Sequence, residues 1–113
     1  MLAFVLFRFY MLWKCSPIDS MNFDVKELSK RPYQVLSTIY HLYRFFIQNA
    51  KYDRFDPQKH TLEWAKANKT LNPPDHWLLS KLQTAIKSVT ERFETCEFNF
   101  ALSDLEEFVV NFL

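Results

Sequence analysis

A chain of 113 residues that contains no glycine has few ways to fold. Glycine is the residue that takes positive φ without steric cost and lets backbone approach a ligand closely. Tight hairpins, phosphate-cradling loops and the first turn of a dinucleotide-binding fold all draw on that freedom. Without it, a Walker-type or dinucleotide site is excluded, and helices joined by Pro, Asp and Asn loops remain. The chain also has 12 Phe, five Tyr and three Trp, so its single modest core is aromatic-rich.

Apolar spacing predicts a mainly all-α fold, a helical bundle with one short extended segment after the first helix. The first helix covers Leu2 to Lys14, and Ser16-Pro17-Ile18-Asp19-Ser20 stops it because Pro17 biases Ser16 away from helix. Met21-Asn22-Phe23 reads as extended. Asp24 is an N-cap candidate with Glu27 three residues on, a capping-box pattern, and Pro32 suits the first turn of the next helix. There Tyr33, Leu36, Ile39, Tyr40, Tyr43, Phe46, Ile47 and Ala50 follow three- and four-residue steps and make one broad face. Lys51 to Pro57 reads as a loop. Thr61 can cap a short helix to Asn68 whose Trp64 pins it to the core, and Asn72-Pro73-Pro74 closes that segment.

Two longer helices follow. Asp75 is expected to cap the first, which carries Leu78, Leu82, Ala85, Ile86, Val89, Phe93 and Cys96 on one stripe. Glu97-Phe98-Asn99 then connects to the last helix with Asn99 as its cap, and Ala101, Leu105, Phe108, Val109 and Phe112 form its apolar face. Leu113 falls inside that face with no stop signal beside it, the pattern expected of a chain cut.

The nearly unbroken apolar run from Met1 to Trp13 is too short for the roughly twenty residues of a membrane helix, and Arg8 interrupts it. No basic lead precedes it and no small-residue cleavage site follows, so no membrane association is expected. A buried helix is the simpler reading, and its apolar character on every face implies a further partner surface. Cys15 and Cys96 lack the paired spacing of a zinc site and read as reduced small hydrophobes of a cytoplasmic protein. His41, His60 and His76 have no metal-ligand spacing. Glu106 and Glu107 face different sides of a helix, which argues against a two-carboxylate catalytic site.

The net charge of +1 conceals a gradient. Lys26 to Lys69 holds nine Lys or Arg against four Asp or Glu, whereas from Glu91 onward one Arg faces six acids. A phosphate-contacting surface therefore belongs to the first long helix and the loop after it.

Specific motifs add to this. Asp75 to Leu82 reads Asp-His-Trp-Leu-Leu-Ser-Lys-Leu, and Phe108-Val109-Val110 lies on the following helix. Arg8-Phe9-Tyr10-Met11-Leu12-Trp13, Ser16-Pro17-Ile18-Asp19, Ser29-Lys30-Arg31-Pro32-Tyr33 and Tyr52-Asp53-Arg54-Phe55-Asp56-Pro57 precede them. In this order they resemble the anticodon-binding helical domain of class Ia aminoacyl-tRNA synthetases, most of all the archaeal-type isoleucyl branch. The similarity covers Arg8 to the C-terminus, and Met1 to Phe7 departs from the acidic or Ala-rich lead expected there. The family's His-Ile-Gly-His signature and Lys-Met-Ser-Lys-Ser loop are absent from this sequence.

The resemblance implies that residues 1–23 end a catalytic or stem-contact region and that 24–113 form the anticodon-binding bundle. It also implies tRNA as a partner, the catalytic domain of the same polypeptide as another, and no catalytic residue or metal here. ATP and Mg²⁺ would serve the parent enzyme, with no cofactor in this chain. Lys30, Arg31, Arg44, Lys51 and Arg54 are the phosphate-contact candidates, and Tyr52 and Phe55 the stacking candidates. Trp64 and Trp77, at helical apolar spacing, read as core. The competing reading is a small helical interaction or membrane-edge module that uses the Met1 to Trp13 run.

Overall fold

A computed structural model describes residues 2–113 and contains six α-helices and no strand among them. They are α1 (Leu2–Trp13), α2 (Val25–Leu28), α3 (Arg31–Tyr52), α4 (Leu62–Ala67), α5 (Pro73–Glu94) and α6 (Phe98–Asn111). The apolar run assigned from Met1 thus begins one residue outside the described part.

Helix α6 is the hub, because it packs against α1, α3 and α5, while α3 and α5 do not pack on each other and α4 packs on no helix. Four of its residues, Ala101, Leu102, Phe108 and Val109, are buried, and the last three meet Phe9 of α1 and Val35 of α3. Leu78, Leu82 and Ala85 of α5 close the other side of this core. The aromatic core expected from composition is therefore small. The molecule is long, 52 × 30 × 22 Å with a radius of gyration of 17.0 Å, against about 13 Å for a compact chain of this length. Its accessible surface of 9005 Å² exceeds the roughly 6600 Å² typical of a folded chain of this mass.

Two polar clusters lock the packed end. Tyr10 is fully buried, and its hydroxyl donates to Glu27 Oε2 at 2.9 Å while lying 3.4 Å from the Asp24 amide that can donate to it. Lys14 pairs with the same Glu27 carboxylate. That hydrogen bond, followed by the one from Tyr10, holds the Glu27 carboxyl below its ordinary range, and Lys14 is held above its own by the same bond. Glu106 of α6 forms the second cluster, accepting from Trp13 Nε1 of α1 at 2.7 Å and pairing with Arg31 Nε of α3 at 3.2 Å. One carboxylate thus ties three helices together. Arg92 and Asp104 join α5 to α6 at 2.7 Å.

Several local expectations change. Glu27 does not close a capping box, because Tyr10 and Lys14 occupy its carboxylate; the Asp24 side chain alone caps α2 through the Lys26 amide at 2.9 Å. Asn72 rather than Asp75 is the N-cap of α5, and the Asp75 carboxylate accepts from the Asn72 amide at 2.8 Å. Two prolines fit the first positions of α5 because their missing amide hydrogens have no helical partner there, so the helix starts three residues earlier than expected. Likewise Glu97, not Asn99, precedes α6. Lys51 and Tyr52 belong to the last turn of α3 and not to the loop.

The broad apolar face expected on α3 is packed only near its start. Pro32 and Val35 are buried, whereas Tyr40, Tyr43 and Phe46 are exposed. Val35 lies outside the predicted stripe, yet it clusters with Phe9 of α1 and Leu102, Phe108 and Val109 of α6. Trp64 does not reach the core: it is 42% exposed and packs its ring edge-on to His60 at 4.8 Å.

Candidate nucleic-acid interface

The seven sequence-selected residues fall into two groups. Lys30 and Arg31 stand at the N-terminus of α3, and Arg44, Lys51 and Tyr52 lie along its distal half, with Arg54 and Phe55 just past its end. At 1.5 Å per residue Arg31 is about 20 Å from Arg44 and about 30 Å from Tyr52 along the helix. They do not make one compact patch.

Arg31 is already committed to Glu106 and lies 3.4 Å from Gln34 Oε1. Lys30 is exposed beside it. Arg44 donates to the Tyr40 hydroxyl at 3.0 Å and lies over the Tyr40 ring, an arrangement that stiffens the guanidinium while leaving its charge without a carboxylate partner. Tyr52 is 89% exposed. Its ring touches no other aromatic among the described residues and is free to stack.

Phe55 is differently placed. It stacks on His60 at 5.2 Å and meets the edge of Phe46 at 6.0 Å. With Trp64 beyond His60, these rings form a satellite cluster that fastens the loop and α4 to α3. The loop begins at Arg54, whose φ of 52° lies in the left-handed region. Its amide donates to Lys51 O at 3.3 Å and the Phe55 amide to Ala50 O at 2.8 Å. This double bond pattern is the helix stop that glycine usually supplies.

The same stop recurs at Lys69, φ 52°, after α4. There the Lys69 amide donates to Lys66 O and the Thr70 amide to Ala65 O. Lys66 and Lys69, which the sequence does not single out individually, stand at the end of α4, the helix after this loop. Of the cations on this arm, Lys59 is paired with Asp56 at 3.8 Å, whereas Arg44, Lys51, Arg54, Lys66 and Lys69 make no ion pair among the described residues. The charge gradient in the sequence thus becomes an arm of uncommitted cations interleaved with aromatic rings. The acidic stretch sits on α5 and α6 at the packed end, where Arg92, Arg31 and Trp13 use its carboxylates.

Between the end of α3 and the loop that follows it a hollow of about 350 Å³ opens beside Phe55, bordered also by Phe46, Asn49, Asp53, Arg54 and His60. Asn49 and Asp53 were not selected from sequence. Their signal was available, since residues 46, 49, 50 and 53 share one helical face, but it required knowing that α3 runs to residue 52.

Among the described residues no helix is long and apolar enough to cross a membrane, and no three His, Cys, Asp or Glu side chains gather as metal ligands do. Trp77 is half-exposed at the edge of the core, packed against Phe112 at 5.6 Å.

Comparison with known proteins bears on the family. Residues 75–113 match the family model described as the anticodon-binding domain of tRNA ligase. The chain is 31% identical over 102 residues to the isoleucine-tRNA ligase of Methanopyrus kandleri, covering 90% of this chain and 9% of that protein. Identity to the isoleucine-tRNA ligase of Clostridium novyi is 38% over 86 residues, 76% of this chain and 8% of the relative. With the enzyme of Thermococcus kodakarensis it is 32% over 107 residues, 92% and 9% respectively. The chain therefore spans about a tenth of the length of the curated relatives it matches. No solved structure matches it.

Proposed function

The chain belongs to the isoleucine-tRNA ligase family, in the region of its anticodon-binding domain, and on that premise we propose that it holds the anticodon stem-loop of a tRNA. The observation that carries this reading is the distal arm, where five cations without carboxylate partners stand among exposed rings. Arg44, Lys51, Arg54, Lys66 and Lys69 contact phosphates, and Tyr52 stacks on an unpaired base. Lys30 adds a phosphate contact at the near end of α3. Arg31 serves mainly to anchor α3 to α6.

In this reading the chain supplies binding energy and position only. The parent enzyme joins isoleucine to its tRNA with ATP and Mg²⁺ in a catalytic domain of the same polypeptide, in the cytoplasm. The alternative, in which the first helix inserts into a membrane edge, requires α1 to leave its place. Phe9 and Tyr10 are buried there, and Tyr10 is bonded to Glu27.

Binding of the purified chain to tRNA across a salt series tests the proposal. With these six phosphates neutralised, log K should fall against log salt with a slope of about −4 to −5. Tyr52→Ala should weaken binding by about 1–3 kcal/mol. A folded chain that shows no salt-dependent tRNA binding at low ionic strength would sink the reading.

A further inference from the structure

We propose that the hollow at the distal end of α3 is a pocket for one unpaired nucleobase, selected through N–H donors on the base's Watson-Crick edge. This deepens the RNA-binding reading above and rests on it. The volume of about 350 Å³ falls within the range of small-ligand sites. Its wall is aromatic, with Phe55 and His60 stacked at 25° between ring planes and Phe46 edge-on at 78°. Every base has a π-face to lay on such a wall, so the wall binds without choosing.

The polar groups do choose. The Asn49 amide nitrogen donates to Phe45 O at 2.8 Å, which fixes the flip of the side chain and leaves its carbonyl oxygen as a free acceptor. One turn on, the Asp53 carboxylate makes no hydrogen bond or ion pair with its side chain among the described residues. A lone carboxylate amid phosphate-facing cations repels phosphate, but it accepts well from a base. Guanine fits best, since its N1–H and N2–H lie side by side and can meet both carboxylate oxygens. Cytosine and adenine each offer one amino group. Uracil presents a single N–H flanked by carbonyl oxygens that Asp53 and Asn49 would repel. Arg54, held in its left-handed conformation at the rim, supplies a cation to the phosphate of the inserted nucleotide.

RNA hairpins with one common stem, differing at a single loop base, would be titrated against the full chain by fluorescence anisotropy. The expected result is a preference of about tenfold for guanine over uracil at one loop position. Asp53→Asn should reduce it to about twofold without lowering mean affinity, because a negative charge near phosphate is removed. Asn49→Ala should reduce it partly, and Arg54→Ala should weaken all hairpins alike and lower the salt slope by about one. Far-UV circular dichroism checks that each variant keeps its helices. If hairpins bind but show no base preference, or if the preference survives Asp53→Asn, the pocket is overturned and the RNA-binding reading stands. If no hairpin binds with a salt dependence, both fall.

Discussion

The two halves of α3 are made from the same kinds of residue and end in opposite states. Near its start Pro32 and Val35 are buried under α1 and α6, and Arg31 is tied to Glu106. Beyond Ile39 the same helix carries Tyr40, Tyr43, Phe45 and Phe46 in solvent, with Arg44 and Lys51 free of carboxylates. Periodicity decides which side of a helix is apolar, but burial depends on which neighbours arrive. The end that is packed spends its charges on its own structure. The end that is not packed keeps them available for a ligand, which is the usual arrangement where a rigid scaffold carries a binding loop.

The sharpest way to break this contrast is to remove one large side chain from each half. Phe108→Ala opens the core where α6 meets its neighbours and should destabilise by about 3–5 kcal/mol. Trp64→Ala removes an indole that is 42% exposed and should cost about 1 kcal/mol, mostly the loss of its edge contact with His60. Urea unfolding of both variants measures the difference. Equal costs would mean that the distal arm is as integral to folding as the core.

Charge removal should divide the two halves in a different way. Arg31→Ala should lower stability by about 1 kcal/mol, since the ion pair it loses is half exposed on the Arg side, and leave RNA affinity nearly unchanged. Arg54→Ala should do the reverse. The Tyr10-Glu27-Lys14 cluster adds a pH signature to the packed end alone. Glu27 titrates below its ordinary 4.5, so its contribution is fully present above that value and is lost as pH falls through the depressed folded value. Lys14 titrates above 10.5, so its contribution holds below that value and disappears as pH rises through the raised one. Glu27→Gln should flatten the acid limb of a melting-temperature profile. An unchanged limb would show that the cluster does not couple to folding.

Much of this architecture was legible in the sequence, and the failures share a cause. Helix existence followed from apolar periodicity, and Pro32 and Thr61 marked starts correctly because their signals are local: a missing amide hydrogen, and a hydroxyl that accepts from the Trp64 amide at 3.2 Å. The cap was placed three residues late because Asn72, ahead of the two prolines, is an equally good cap, and only the bond from the Asn72 amide to the Asp75 carboxylate distinguishes them. Glu27 had the right spacing for a capping box, yet Tyr10 and Lys14, distant in sequence, took its carboxylate. Trp64 looked like core because spacing cannot say that α4 stands apart from the other helices. The basic residues before Lys69 were readable as a group. Their split into committed and free members depended on Glu106, 75 residues beyond Arg31 and invisible to any local pattern.

The smallest expected effect returns to the missing glycines. Helices α3, α4 and α5 each end with a left-handed residue, Arg54, Lys69 and Cys96, at φ of 52°, 52° and 59°. After α5 the Cys96 amide donates to Phe93 O at 3.1 Å and the Glu97 amide to Arg92 O at 2.8 Å, the same paired stop. A side chain in this conformation costs about 1–2 kcal/mol, and glycine returns part of that gain through its looser unfolded state. Cys96→Gly should therefore stabilise by about 0.5–1 kcal/mol and leave RNA affinity unchanged. Arg54→Gly should stabilise by a similar amount while weakening RNA binding, because the strained position also carries a cation of the proposed interface. Thermal melts and hairpin titrations of the two variants measure both quantities. If Arg54→Gly bound RNA as well as the parent chain, the strain there would have no functional counterpart, and the distal arm would differ from the packed end in stability only.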